Sequence, residues 1–340
     1  MRAPRASVII PTWNGRDMLV HALRALQAQT FADFETIVVD NGSTDGTADL
    51  LATSFPHVRL VPLPENLGFA AAVNIGICAA IGDVLVLMNN DTEPAADWLG
   101  ELVAALDAHP DVGSCAARML DYRDPRVIDS AGLQLGLFAS NIGEGQPDGP
   151  AYSEPRRIFG ACGGAAAYRR TALQQAGLFD ASFFAYCEDV DLGARLQLAG
   201  WNCLYVPTAV ITHLGSATSD RIPEFRFYLL MRNSITVFLR YASRSRLLCW
   251  TPLVLAWPFV RCIIDRQRPT VALRAVRHAL RQLPDIRQRR REIGRTRRID
   301  VAAFNALLAH PLTRAGRKPA LPPRPLPPAE HAAVAARAAS

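Results

Sequence analysis

Two stretches near the N-terminus, Ser7-Val-Ile-Ile-Pro-Thr-Trp-Asn-Gly15 and Thr36-Ile-Val-Val-Asp-Asn-Gly-Ser-Thr-Asp-Gly46, share one pattern: a short β-branched run that breaks into a polar, turn-rich loop. Apolar runs of this length read as strands buried on both faces. The same pattern recurs at Val58-Arg-Leu-Val61 and at Asp83-Val-Leu-Val-Leu-Met88, which ends in Asn89-Asn-Asp91. Between the runs, Met18, Leu19, Ala22, Leu23 and Leu26 fall at helical spacing with Asn14 or Gly15 as cap, another helix runs through Leu51, and a small-residue helix spans Phe69 to Ala80. Alternating strands and helices predict an α/β domain with a mostly parallel central sheet flanked by helices. Ligands in such sheets bind beyond the carboxyl ends of the strands, where the polar clusters 12–14, 40–45 and 89–91 fall.

The remaining sequence is organised differently. Residues 143–150 are rich in Gly and Pro and read as a mobile loop, and 224–243 as a helix. Leu247 to Val260 lacks charge, contains Trp250, Pro252, Trp257 and Pro258, and lies between Arg246 and Arg261. It is too short for a standard bilayer span and reads equally as an interfacial segment or a packed helix. Beyond Pro311 the Pro/Ala/Arg-rich composition predicts disorder. The expected division is a catalytic domain over 1–222, a helical, basic, membrane-proximal region over 223–310, and a tail over 311–340.

The net charge of +6 conceals an asymmetry. Residues 1–220 carry 13 Arg against 25 Asp and Glu, whereas 221–340 carry 23 Arg and one Lys against six acidic residues. A basic half calls for a polyanionic partner, and the aromatic segment around Trp250 and Trp257 favours an anionic membrane surface over nucleic acid. Seven scattered cysteines without a CxxC pair argue against a disulfide framework or zinc site and for a reducing compartment. The N-terminal apolar run is too short for a secretory signal, so a cytoplasmic location is expected.

No GxGxxG and no GxxxxGK[ST] occurs, which removes the dinucleotide fingerprint and the P-loop. Asp40, at a strand tip, can accept hydrogen bonds from a base or ribose, or simply cap its turn. Gly68 and the helix start after Asn66-Leu-Gly-Phe-Ala70 suit a phosphate. Asp91 at a buried strand tip suits a divalent cation, which His213 can also ligate. Tyr186-Cys-Glu-Asp-Val-Asp191 sets three carboxylates at a helix start, where one can act as general base and the others answer the helix dipole.

Taken in order, these motifs resemble glycosyltransferase family 2, specifically its bacterial rhamnosyltransferase-like branch. The resemblance covers about residues 6–240 and includes Phe184-Ala-Tyr-Cys-Glu-Asp-Val-Asp-Leu192, His213 and Arg232-Asn233. It implies a GT-A fold and inverting transfer of a sugar, with rhamnose from dTDP-rhamnose favoured over UDP sugars. The acceptor would be a glycan or lipid-linked hydroxyl in cell-surface polysaccharide or glycolipid synthesis. By the same resemblance, Pro11, Thr12, Asn14, Asp40, Asn41, Ser43, Asn66, Gly68, Phe69, Asn89 and Asn90 hold the nucleotide sugar, with Asp40 facing the base. Asp91 and His213 hold Mg²⁺ or Mn²⁺, Asp189 is the catalytic base, and Gly164, Glu188 and Arg232 lie on the acceptor side. Asn89 stands where the family's DxD motif has its first aspartate, so metal charge balance would rest on Asp91 and the diphosphate, and Asn89 would turn to ribose. The implied location is peripheral, on the cytoplasmic face of the inner membrane. Two other readings share this architecture. A sugar-nucleotide pyrophosphorylase would need a Gly-rich basic loop after the first strand, absent here; a non-catalytic sugar-nucleotide-binding or membrane scaffold would need no working base.

Overall fold

The computed structural model describes residues 2–214 and 222–309; the expected disordered tail over 311–340 lies outside the described residues. The chain begins β1 (Ala6–Thr12), α1 (Arg16–Gln27), β2 (Phe34–Asp40), α2 (Thr47–Ser54), β3 (Arg59–Pro62), α3 (Phe69–Ala79), β4 (Val84–Met88), β5 (Thr92–Pro94) and α4 (Trp98–Ala108). It continues β6 (Val112–Asp121), β7 (Ile128–Ser130), β8 (Leu133–Leu135), β9 (Ala139–Asn141), β10 (Arg156–Ile158), β11 (Ala165–Arg169), α5 (Arg170–Ala176), α6 (Glu188–Leu198) and β12 (Asn202–His213). Five helices close the described chain: α7 (Pro223–Tyr241), α8 (Arg244–Ile264), α9 (Pro269–Arg281), α10 (Leu283–Thr296) and α11 (Val301–Leu307).

The main sheet runs β10-β12-β6-β11-β4-β1-β2-β3, with β5 added beside β12 and β7 beside β6. Strands β3, β2, β1 and β4 are mutually parallel, as are β6 and β12; β11 joins the two sets by running antiparallel to both β4 and β6. The period-2 alternation of the strands divides their side chains between two helical layers. Val8, Ile10, Val38, Val86 and Met88 meet Leu19, Leu23 and Leu26 of α1 and Trp98, Leu102 and Leu106 of α4. Ile9, Ile37, Val39, Leu85 and Leu87 meet Val73 and Ile77 of α3 and Leu192 and Leu196 of α6. The small-residue character of α3 is required here, since a Cβ at Gly76 would lie 2.4 Å from Cγ2 of Ile9.

Two departures from the sequence reading concern loops and charge. The Gly/Pro-rich run at 143–150 is tied down rather than mobile. The amide of Ile128 donates to the carbonyl of Gln146 and that of Gly145 to the carbonyl of Ile128, each at 2.9 Å, and Asp148 pairs with Arg118. Backbone pairing of this kind satisfies the polar groups that would otherwise keep such a loop in solvent. Asp191, one of the three clustered carboxylates, is fully buried and accepts hydrogen bonds from Arg195 Nε (2.9 Å), Arg240 Nη1 (2.5 Å) and Tyr241 Oη (2.7 Å). Burial alone would raise its pKa; Arg195 and Arg240 outweigh that and hold it below the usual carboxylate range. Asp191 therefore locks α6 to α7.

Replacing Asp191 with Ala removes the buried carboxylate that Arg195 and Arg240 share, leaving Arg195 on backbone carbonyls alone and Arg240 with Asp180, and is expected to lower the unfolding free energy by about 3–5 kcal/mol. Urea denaturation measures this. Because the folded-state pKa is depressed, the stabilisation is present above the ordinary aspartate pKa and is lost as pH falls through the lowered value. An Asp191→Ala protein as stable as the parent would show that the cluster is not a structural tie.

Candidate active site

The strand registers decide which polar residues meet. Thr12 pairs with Asp40 across β1 and β2, and Ile9 with Leu87 across β1 and β4, so the carboxyl ends of three parallel strands open at one edge. Antiparallel pairing of Ala165 with Met88 then brings the Cys162-Gly163-Gly164 turn onto the strand tip, where the amide of Asn89 donates to the carbonyl of Gly164 at 2.9 Å. Pairing of His213 with Thr92 across β12 and β5 sets His213 beside Asp91. A cavity of about 840 Å³ occupies this edge.

Of the residues singled out from sequence, Pro11, Thr12, Asn41, Asn66, Gly68, Phe69, Asn89, Asn90, Asp91, Gly164, Glu188, Asp189 and His213 line the cavity. Asp40, Asn14, Ser43 and Arg232 are not among its lining residues. The first three join neighbouring loops instead. The amide of Ser43 donates to Asp40 Oδ1 (2.9 Å), that of Asn14 to Ser43 Oγ (2.9 Å), and that of Thr44 to Asn14 Oδ1 (2.8 Å). Arg232 is buried, and its Nη2 donates to the carbonyls of Ser182 (3.1 Å) and Phe183 (2.7 Å). That places its guanidinium on protein backbone.

The purpose of that contact lies in the next few residues. Phe184, Tyr186 and Cys187 have φ of 64°, 69° and 67°, three non-glycine residues in the left-handed region immediately before α6. Such backbone costs on the order of 1–3 kcal/mol per residue and persists only where surrounding structure imposes it. Arg232 and Asn233 impose it: Asn233 Nδ2 reaches the carbonyls of Phe183 (3.1 Å), Ala185 (2.8 Å) and Tyr186 (2.7 Å). The turn lays Phe184, Tyr186 and Cys187 along the cavity wall and delivers Asp189 to it.

The start of α3 also differs from expectation. Its amides were candidates for a phosphate, but that of Leu67 donates to Asn41 Oδ1 (2.9 Å), that of Gly68 to Asn66 Oδ1 (2.9 Å), and that of Ala70 to the carbonyl of Phe184 (3.1 Å). These three amides thus hold the loop against the strained turn. Gly68, at φ 88°, allows this approach, since a Cβ would lie 2.7 Å from the Phe184 carbonyl oxygen.

The carboxylates at the start of α6 occupy three environments. Glu188 is buried with Oε2 lacking a hydrogen-bond partner, and burial, then Asp189, push its pKa well above the ordinary range. Asp189 accepts from the amides of Gly163 (3.0 Å) and Val190 (2.8 Å), yet burial outweighs both and raises its pKa. A carboxylate so placed is a stronger base than one in water. Asp191 is the ion-paired tie already described.

His213 sits between two carboxylates. One ring nitrogen, Nδ1, is 2.9 Å from Asp129 Oδ2; the other, Nε2, is buried without an aligned hydrogen bond, 3.4 Å from Asp91 Oδ1. Burial opposes the imidazolium, but Asp129 and Asp91 together raise its pKa to about 10. An orphaned Nε2 beside a carboxylate at a cavity wall fits two ligands of a divalent cation, with the proton displaced on binding. Among the described residues no three His, Cys, Asp or Glu side chains converge as a complete metal site, so a cation here needs further ligands from its substrate.

Asp129 was not legible in the sequence, because it lies on the three-residue strand β7 with no motif around it. Glu144 was likewise missed; it lines the cavity from the pinned Gly/Pro-rich loop, and burial followed by Asp129 raises its pKa. Ile222, Phe225, Leu229 and Leu230 form an apolar side of the cavity with no counterpart among the expected site residues.

Comparison with known proteins adds the family. The chain is 32% identical over 241 residues to the N-acetylglucosaminyl-diphospho-decaprenol L-rhamnosyltransferase of Mycobacterium tuberculosis, covering 64% of this chain and 78% of that one. It is 30% identical over 243 residues to the O-antigen biosynthesis protein RfbC of Myxococcus xanthus, covering 66% of this chain but only 19% of that protein. Among solved structures, GalNAc-T7 with UDP, GalNAc and Mn²⁺ matches with a TM-score of 0.58 at 17% identity over 75% of this chain, which spans about half (52%) of that one. The mannosyltransferase PcManGT from Pyrobaculum calidifontis in complex with GDP-Man and Mn²⁺ matches with a TM-score of 0.54 at 22% identity, over 90% of this chain and 88% of that one. These likenesses speak for the fold. Residues 7–177 match the family described as Glycosyl transferase family 2, so a strand-edge cavity with a half-buried aspartate and an Asp–His pair is carried here by a GT-A-fold member of glycosyltransferase family 2.

Proposed function

We propose that the protein moves rhamnose from dTDP-rhamnose to a hydroxyl of a lipid-linked glycan acceptor, with inversion at the anomeric carbon. The observation that carries this reading is the opening of Asp189 and the Asp91–His213 pair into one cavity large enough for a nucleotide sugar and an acceptor. The choice of rhamnose and of a lipid-linked acceptor rests on the named activity of the mycobacterial relative. A lipid-linked acceptor puts the reaction at a membrane, for which we propose the cytoplasmic face of the inner membrane.

In this mechanism Asp189 takes the proton of the acceptor hydroxyl as its oxygen forms the bond to the anomeric carbon. The bond from that carbon to the diphosphate oxygen breaks on the opposite face, and the nucleoside diphosphate departs. Displacement from one side inverts the centre. Burial raises the pKa of Asp189, which makes its ionised form a better proton acceptor than a carboxylate in water. Asp91 and His213 would hold Mg²⁺ or Mn²⁺, which when bound offsets charge on the leaving diphosphate. Asp129, hydrogen-bonded to Nδ1 of His213, sets the ring so that Nε2 faces that site. Asn89 supplies no charge there and is assigned to sugar or ribose contact.

Incubating the purified protein with a panel of nucleotide sugars, with and without Mn²⁺, is expected to show metal-dependent turnover of dTDP-rhamnose above UDP and GDP sugars; no turnover of any donor would overturn the proposal. Asp189→Asn is expected to lower kcat by about 10²–10⁴-fold with donor affinity nearly unchanged. For the parent enzyme, kcat/KM should rise with pH through a value above the ordinary aspartate pKa, because the base works only when ionised and its pKa is raised. Asp129→Asn is expected to weaken Mn²⁺ binding in the presence of dTDP by about 10–100-fold, measured by the paramagnetic signal of free Mn²⁺. Unchanged affinity would remove Asp129 from that positioning role.

A further inference from the structure

Helix α8 carries two opposed faces. Val254, Pro258 and Cys262 are buried, packing it on α7 and α9. Leu248 (84% exposed), Leu253, Phe259, Val260, Ile263 (81%) and Ile264 (60%) point outward. At 3.6 residues per turn these six lie within a single arc of about 160°, and no charged residue interrupts it. Among the described residues nothing covers this stripe. It is larger and more coherent than the scattered apolar residues of an ordinary soluble surface.

By length and composition α8 is the one helix among the described residues that can cross a membrane. Its buried face argues for another arrangement, because crossing would strip Val254 and Cys262 from their contacts with α7 and α9. A helix with one face on protein, one apolar face outward and arginines at its margins belongs in the plane of an interface. The neighbouring α9 supplies the charge: Arg274, Arg277 and Arg281 are exposed beside exposed Leu273 and Leu280. Asp265, at the end of α8, is paired with Arg261 at 2.7 Å and adds no free negative charge to the stripe.

Helix α8 also reaches the active site. The apolar side of the cavity, formed by Phe225, Leu229 and Leu230 of α7, is completed by Arg261 of α8. We propose that the outer faces of α8 and α9 dock on an anionic lipid bilayer, with the apolar stripe among the acyl chains, the α9 arginines at the lipid headgroups, and the cavity opening toward the membrane. An acceptor anchored in the bilayer then reaches Asp189 along the apolar wall without leaving its leaflet. Docking itself follows from the surface alone; the orientation rests on the lipid-linked acceptor proposed above.

Co-sedimentation of the full chain with vesicles tests it. The parent protein is expected to pellet with phosphatidylcholine vesicles containing phosphatidylglycerol and to remain largely in solution with phosphatidylcholine alone. Leu248→Glu/Ile263→Glu and, separately, Arg277→Glu/Arg281→Glu should each weaken binding by about tenfold or more, with thermal unfolding unchanged because all four side chains are exposed. Both double variants should keep parental transfer to a short, water-soluble acceptor while losing transfer to a long-chain acceptor embedded in the vesicles. A parent protein that stays in solution with anionic vesicles overturns the proposal, as do variants that bind like the parent. A stripe that instead pairs two copies, seen as a dimer split by Leu248→Glu/Ile263→Glu without any vesicle binding, also overturns it. Absence of transfer to the soluble acceptor would count against the proposed reaction and leave the vesicle result standing.

Discussion

Strand β11 runs against both of its neighbours, and the rest of the site depends on that reversal. Four parallel strands place their carboxyl ends at one edge, as parallel sheets must, but alone they would offer only loops. Because β11 enters antiparallel, the turn preceding it arrives at the same edge, and Gly163 there holds the side chain of Asp189. On the other side of β11, β6 aligns β12, and β12 pairs with the three residues following Asp91. One ladder of backbone hydrogen bonds thus gathers groups separated by more than a hundred residues.

A second layer of control is local strain held by distant side chains. The turn at 184–187 adopts backbone that its residues disfavour, and the amide and guanidinium of Asn233 and Arg232 bind the carbonyls that this conformation exposes. Helix α7 therefore acts on the site without entering it at these positions, and the Asp191 tie keeps α7 in register with α6. The helical region after residue 222 is continuous with the site in both structure and purpose, since it clamps the turn, forms the apolar cavity wall and carries the exposed stripe.

The division of labour among Glu188, Asp189 and Asp191 shows how burial and partners separate chemically similar groups. Glu188 and Asp191 are buried, and Asp189 is half-buried at the cavity wall. Two arginines hold the pKa of Asp191 down, backbone amides moderate the rise at Asp189, and burial pushes that of Glu188, with its unpartnered oxygen, well up. One lowered and two raised carboxyl pKa values are produced within one helical turn by what each side chain meets.

The strand and helix pattern of the first ninety residues was legible from sequence because β1, β4 and the end of β2 are apolar runs and α1 repeats at 3.6 residues, signals that need no tertiary partner. The short strands β5 and β7–β10 were not, since three residues carry no period. Motif residues that face the cavity, such as Asp91, Gly164 and Asp189, were found by their place at strand and helix ends. Asp40, Asn14 and Ser43 brace loops from the same kind of strand-end context and Arg232 does so from within α7, contacts visible only in the hydrogen bonds available after folding. Asp129 and the apolar wall from α7 are invisible in isolation because their meaning is set by neighbours far along the chain. The sequence by itself determined the alternation of elements, the family and the reserve of apolar and basic residues after residue 221. Tertiary structure alone decided which carboxylate is buried beside which partner, and hence which is charged, because desolvation and ion pairing exist only once the chain has closed around them.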